Sequence, residues 1–205
     1  LGASDDKSPN AYEESWDVVA SAAAPPGGAG GNNMFTYKSP SVSGAQLTVA
    51  YLNASDAISD VSYMDYAIAW SPEMVEGLTV GYGMGETEET TGTAVDDTAM
   101  YVKYTYGSVT IGYHDGESDG TASSSDIDFE AIGVTYAVTD DITVGYNQSK
   151  QKKGDDSDEQ EATAIGASFT SGGITVAGSM NDISNVGYDA TNDTDGYEFN
   201  IAFAF

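Results

Sequence analysis

Leu47-Thr48-Val49-Ala50-Tyr51, Leu78-Thr79-Val80-Gly81-Tyr82, Val109-Thr110-Ile111-Gly112-Tyr113, Ile142-Thr143-Val144-Gly145-Tyr146 and Ile174-Thr175-Val176-Ala177-Gly178 are one pattern written five times, at a spacing of 31 to 33 residues. Each copy alternates a large apolar side chain with Thr, Gly or Ala. That period of two gives a strand one greasy face and one small or polar face. A fixed repeat of this length corresponds to one hairpin per unit.

Working outward, a second set of alternating segments falls between the copies: Phe35 to Lys38, Asp65 to Trp70, Met100 to Tyr106, Ile132 to Val138, Ile165 to Phe169 and Tyr197 to Phe205. Together they predict eleven strands and an all-β chain. In the last segment Tyr197, Phe199, Ile201, Phe203 and Phe205 share one face, so the alternation runs to the final residue. The links also alternate. After each second-set strand the link is short and built from Gly, Ser, Pro and Asp, the residues of tight turns. After each repeat strand the sequence predicts a long acidic loop: 53–62, 84–97, 114–127, 147–160 and 180–196, which together hold more than half of the 33 acidic residues. Short turns on one rim and long loops on the other are the asymmetry of transmembrane barrels.

Aromatic residues bound the apolar segments at both ends. Tyr51, Tyr82, Tyr113 and Tyr146 end the repeat strands on the loop side, and Trp70, Tyr106, Tyr136, Phe169 and Phe205 mark the turn side. Amphipathic rings favour the headgroup level of a bilayer, so two such girdles point to a membrane. No run of 18 apolar residues occurs, so a membrane role requires strands closed on themselves, which satisfy every backbone polar group in lipid. The competing reading is a soluble or surface-layer structural or adhesive β-repeat protein, whose apolar faces would pack on a second layer.

Charge narrows the function. A net charge of −27, with only six Lys and Arg together, excludes nucleic acid as a partner because phosphate neutralisation needs clustered cations. Zero cysteines exclude a disulfide framework and thiolate chemistry. His114 is the single histidine, so no multi-histidine metal site or catalytic triad can be assembled; at the start of a predicted loop it is expected on the surface. The chain is read as no enzyme. Asp155, Asp156, Asp158, Glu159 and Glu161 offer the oxygen ligands that Ca²⁺ takes, against the plainer reading of a solvated charged loop; no other cofactor is expected.

Residues 1–34 read differently. Ser8-Pro9 offers a helix start, Tyr12, Trp16, Val19 and Ala23 fall on one helical face, and Pro25-Pro26 ends it before the Gly-rich 27–31. Strand directions require this segment to start on the loop side, fed by an ascending strand not present in the sequence. Eleven is also odd, where bacterial barrels are even. The expectation is a portion of a larger barrel, with an N-terminal remainder as its partner.

These features resemble the general diffusion porins of Gram-negative outer membranes, particularly the alphaproteobacterial type: a Leu1-Gly2-Ala3-Ser4 opening, a partly helical segment, eleven strands and a terminal Phe205. The resemblance implies a sixteen-stranded trimeric barrel whose third loop, here 1–34, folds inward to narrow the pore. It implies passive diffusion of small hydrophilic solutes, a bacterial outer-membrane location with lipid as the surrounding partner, and Phe205 as the assembly signal. It places Asp5, Asp6, Glu13, Glu14 and Asp17 on the acidic side of the constriction, with Lys38 and Lys103, directed inward by parity, opposite. Acidic walls beside a narrow lumen concentrate cations, so a cation preference is expected.

Overall fold

Alternation of small and large side chains becomes, in space, one antiparallel sheet. The computed structural model describes residues 34–53, 61–89, 94–154 and 158–204. Eleven strands follow in chain order: β1 (Met34–Lys38), β2 (Ala45–Leu52), β3 (Val61–Trp70), β4 (Leu78–Glu89), β5 (Ala94–Tyr106), β6 (Val109–Gly120), β7 (Ile127–Ala137), β8 (Ile142–Lys153), β9 (Gln160–Ser171), β10 (Ile174–Ser184) and β11 (Thr194–Phe203). Each pairs only with its sequence neighbours, so the sheet order is the chain order. This is the up-and-down meander of a barrel wall, built from local hairpins.

Register fixes which residues share a face. Ile111, Val134, Tyr146, Ile165, Met180 and Tyr197 form one cross-strand row from β6 to β11. All except Tyr146 and Val134 are at least 45% exposed, and those two stand at 40% and 37%. A row three residues toward the loop rim, on the opposite face, holds Tyr101, His114, Ala131, Ser149, Ala162 and Ile183 and runs from β5 to β10. There His114 and Ile183 are fully enclosed and Ala131 and Ala162 nearly so. The polar and small face is enclosed, and the apolar face is bare. A soluble sandwich would show the reverse, and among the described residues no second layer covers the apolar face. The barrel reading holds, and the soluble alternative loses its packing partner.

The turn rim is tight where the sequence placed it. Gly77 sits at φ +83°, and a Cβ there would fall 2.1 Å from the Thr105 carbonyl oxygen, which only glycine avoids. The opposite rim departs from expectation. Segments 84–97, 114–127 and 147–160 are not long loops: β4 and β5 stay paired out to Glu88 opposite Ala94, β6 and β7 to Ser118 opposite Ile127, and β8 and β9 to Gln151 opposite Gln160. Carboxylates were read as loop, yet here they occupy every second position of strands. Glu86 and Glu88, then Asp115, Glu117 and Asp119, continue the outward face, while Gly85, Thr87, Gly116 and Ser118 continue the inward one. The result is an acidic collar on the outer surface, beyond the tyrosine girdle.

Candidate functional site

The enclosed face is the candidate site, since it alone gathers polar groups away from the apolar exterior. By register its charged side chains, among those described, are Lys38, Lys103 and Lys153 against Asp65, Asp97 and Glu198. The two signs balance. The large negative charge of the chain therefore does not line these strands; much of it sits on the outer collar and the loops. Asp65 on β3 and Asp97 on β5 flank Gly85 on β4 in a single row. Each is 5% exposed, and Tyr63 donates its hydroxyl to Asp65 Oδ2 at 2.8 Å. Lys103 stands six residues along β5 from Asp97, about 20 Å at a strand's rise per residue.

His114 corrects its sequence reading. It is not a surface residue at the start of a loop but a fully buried member of β6, edge-on to the Phe129 ring with centroids 5.6 Å apart. The strand runs on past it because Gly112, Gly116 and Ser118 keep the inward side small enough to pack. Tyr101 lies beside it, its ring covering Gly81 so closely that a Cβ there would meet Cε1 at 2.1 Å. From β7 to β10 the inward wall is otherwise uncharged up to Lys153. Asn147, Ser149, Gln151, Gln160, Ser179 and Asn181 stand among Ala131, Ala162, Ala164 and the glycines of the same rows. Toward the turn rim hydroxyls pair across strands, Thr105 with Thr110 at 2.9 Å and Thr170 with Thr175 at 3.0 Å.

Of the residues singled out from the sequence, Lys38 and Lys103 lie on the inward side by register, and both are exposed there. Asp5, Asp6, Glu13, Glu14, Asp17, Asp155, Asp156 and Phe205 lie outside the described residues. Glu159 and Glu161 both reach Lys150 Nζ, at 3.2 and 3.4 Å, and Gln148 donates to Glu161 at 2.6 Å, which draws these carboxylates into an ion-pair network on the rim. Among the described residues no group of three or more acidic, His or Cys side chains is placed to hold a metal ion. Sequence reasoning missed Asp65 and Asp97 as lumen groups, whereas alternation in the last strand already sets Glu198 on the face opposite the apolar one. The parity of the first two with Tyr63 and Ala99 was the available signal.

On the outer face the described girdle residues stand as their alternation requires. Trp70 donates its indole N–H to the Ser43 carbonyl at 3.2 Å, tying the turn-side aromatic to the backbone. Tyr113 points its hydroxyl at Asp115 and Glu130, 3.2 and 3.4 Å away, which marks the boundary between apolar band and acidic collar. In that collar Glu117 has its carboxyl pushed up, chiefly by the like charge of Asp119 and then by burial and Asp128.

The family model described as Gram-negative porin matches residues 2–164. No curated protein matches the sequence. Among solved structures, the anion-selective porin from Comamonas acidovorans superposes with a TM-score of 0.71 at 14% identity, covering 85% of this chain and 60% of that one. OmpT, an outer membrane protein of Vibrio cholerae, gives 0.67 at 12% identity over 98% of this chain and 71% of its own. A trimer form of the same Vibrio protein gives 0.58 at 16% identity over 96% of this chain and 71% of its own. The chain thus spans 60% of the length of the Comamonas porin. At these identities the likeness is one of fold.

Proposed function

The chain belongs to the Gram-negative porin family and to the bacterial outer membrane, and from that premise we propose that it forms the wall of a passive diffusion channel for small hydrophilic solutes. One observation carries the reading: the apolar side chains of the sheet face outward uncovered, while amide, hydroxyl and charged groups line the enclosed side. Hydrocarbon outside and water within is the only pair of solvents in which that arrangement is stable. Such a wall acts by size and field rather than by bond-making, so the protein is a channel and not an enzyme. Reconstitution of the native protein into planar bilayers tests this, with stepwise ohmic conductance expected. Insertion without conductance would overturn it.

The finer reading is a cation preference. Its support is the net charge of −27 and the acidic collar and loops at one rim. Among the described residues the strand-borne lumen charges balance, so the preference is assigned to the mouth, where fixed charge raises the local cation concentration. It falls with ionic strength as the Debye length shrinks from about 30 Å at 0.01 M to about 3 Å at 1 M. A reversal potential that favours chloride under a KCl gradient would remove the proposal. A homotrimer is proposed with it, in keeping with the trimer form of the structurally similar Vibrio protein. Cross-linking in native membranes reads the subunit number, and a single-subunit band throughout would refute it.

A further inference from the structure

Between β10 and β11 the chain turns over the lumen. Val186, just past β10, is buried against Ile183 and Ala162, two members of the enclosed face. The Gly187 amide then donates to Gln160 Oε1 on β9 at 3.0 Å, and the Tyr188 hydroxyl donates to Gln151 Oε1 on β8 at 2.6 Å. Asn185 Nδ2 donates to the Glu159 carbonyl at 2.7 Å, and Val186 and Asn192 close the base by mutual hydrogen bonds of 2.7 and 3.0 Å. The connection therefore leaves β10, crosses the inner side of β9 and ends on β8. Gln151 and Gln160 lie directly opposite each other on the enclosed face and are 5% and 3% exposed.

The backbone path is unusual. Asn185, Gly187 and Tyr188 have φ of 56°, 70° and 65°, the left-handed region. For the two residues with side chains this is a strained conformation, and such strain persists only where surrounding contacts hold it. Here the holding contacts include the two glutamines and the Val186 packing on the lumen side of β8–β10, together with the Glu159 carbonyl at the rim and the Asp193 carboxylate within the connection.

We infer that the Asn185–Asp193 connection narrows the channel at its loop-side mouth, and that Tyr188, anchored by Gln151, is a size-determining residue for solutes passing along the β8–β10 wall. The inference rests on the channel reading. Its lumen-side anchors are uncharged, so the narrowing acts by size and hydrogen bonding, and the carboxylates of the same connection, Asp189 and Asp193, are kept in both variants tested below.

The test uses the native full-length protein with Tyr188→Ala and, separately, Gln151→Ala, which releases the anchor without touching the loop. Heat-modifiable gel mobility establishes that each variant is a folded barrel. Liposome swelling with arabinose and raffinose reads the size limit, and bilayer recording reads conductance and reversal potential. Both variants are expected to raise single-channel conductance and to move the raffinose-to-arabinose rate ratio toward parity, with the reversal potential unchanged. Wild-type conductance and wild-type sugar ratio in both folded variants would overturn the narrowing while leaving the channel intact. Absence of conductance in the wild type as well would overturn the channel reading and the narrowing with it.

Discussion

Arginine placed at Val134 and at Thr135 in turn gives a direct measure of which solvent each face meets. The two positions are adjacent on β7, and register sends Val134 outward between Ile111 and Tyr146 and Thr135 inward between Thr110 and Gly145. Val134 is two residues from Tyr136 on the turn side and four from Glu130 in the acidic collar, about 7 and 13 Å at a strand's rise. An arginine near the bilayer midplane of a barrel costs about 2–4 kcal/mol, falling toward zero at the interface. Its side chain reaches the nearer girdle, so the lower end applies. About 2 kcal/mol is a factor of roughly 30 in the folding equilibrium. Thr135→Arg points into water across from Gly145, where a long side chain has room, and is expected to change stability by less than about 0.5 kcal/mol. Folding titrations in urea with lipid vesicles, read by heat-modifiable mobility, give both values. Equal costs, or a larger cost at Thr135, would refute the assignment of faces on which the channel depends.

Two further outcomes follow from the rims. Glu117 lies in the collar beyond the membrane band, and its folded-state pKa is raised by Asp119 first. A raised carboxyl contributes stability that is fully present below its unfolded pKa and is lost as pH rises through the folded value. Glu117→Gln should therefore raise the thermal midpoint at pH 7, and the gain should vanish on acidification into the carboxylate range; a gain independent of pH would contradict the like-charge origin. At the turn rim, Gly77→Ala combines φ +83° with a Cβ collision at the Thr105 carbonyl. It should destabilise the barrel by more than about 1 kcal/mol, whereas Gly107→Ala, with φ +57° and open space around it, should cost only its backbone strain. Thermal midpoints of the two variants compare them directly.

Much of this fold was legible from residue order alone. Five copies of one alternating pattern set the number and direction of strands, because a strand's side chains alternate faces whatever surrounds it. The aromatic ends of the apolar runs marked the girdles for the same reason. The strands' outer ends are harder to read: carboxylates at every second position of β4 and β6 fall in stretches whose charge predicts loop, yet they are strand. Their period of two was the better guide, and only cross-strand pairing showed it. His114 is misplaced for the same reason.

What the sequence determined by itself is parity: which residues of a strand go together, and hence that two different faces exist. What only tertiary structure decided is which groups from distant strands meet. Asp65 and Asp97 come to flank Gly85, and Tyr188 crosses β9 to reach Gln151. Alternation is a property of the local backbone and is written in every residue. Register and the path of a loop depend on hydrogen bonds between segments far apart in the chain, where many pairings share the same pattern and the summed contacts select one.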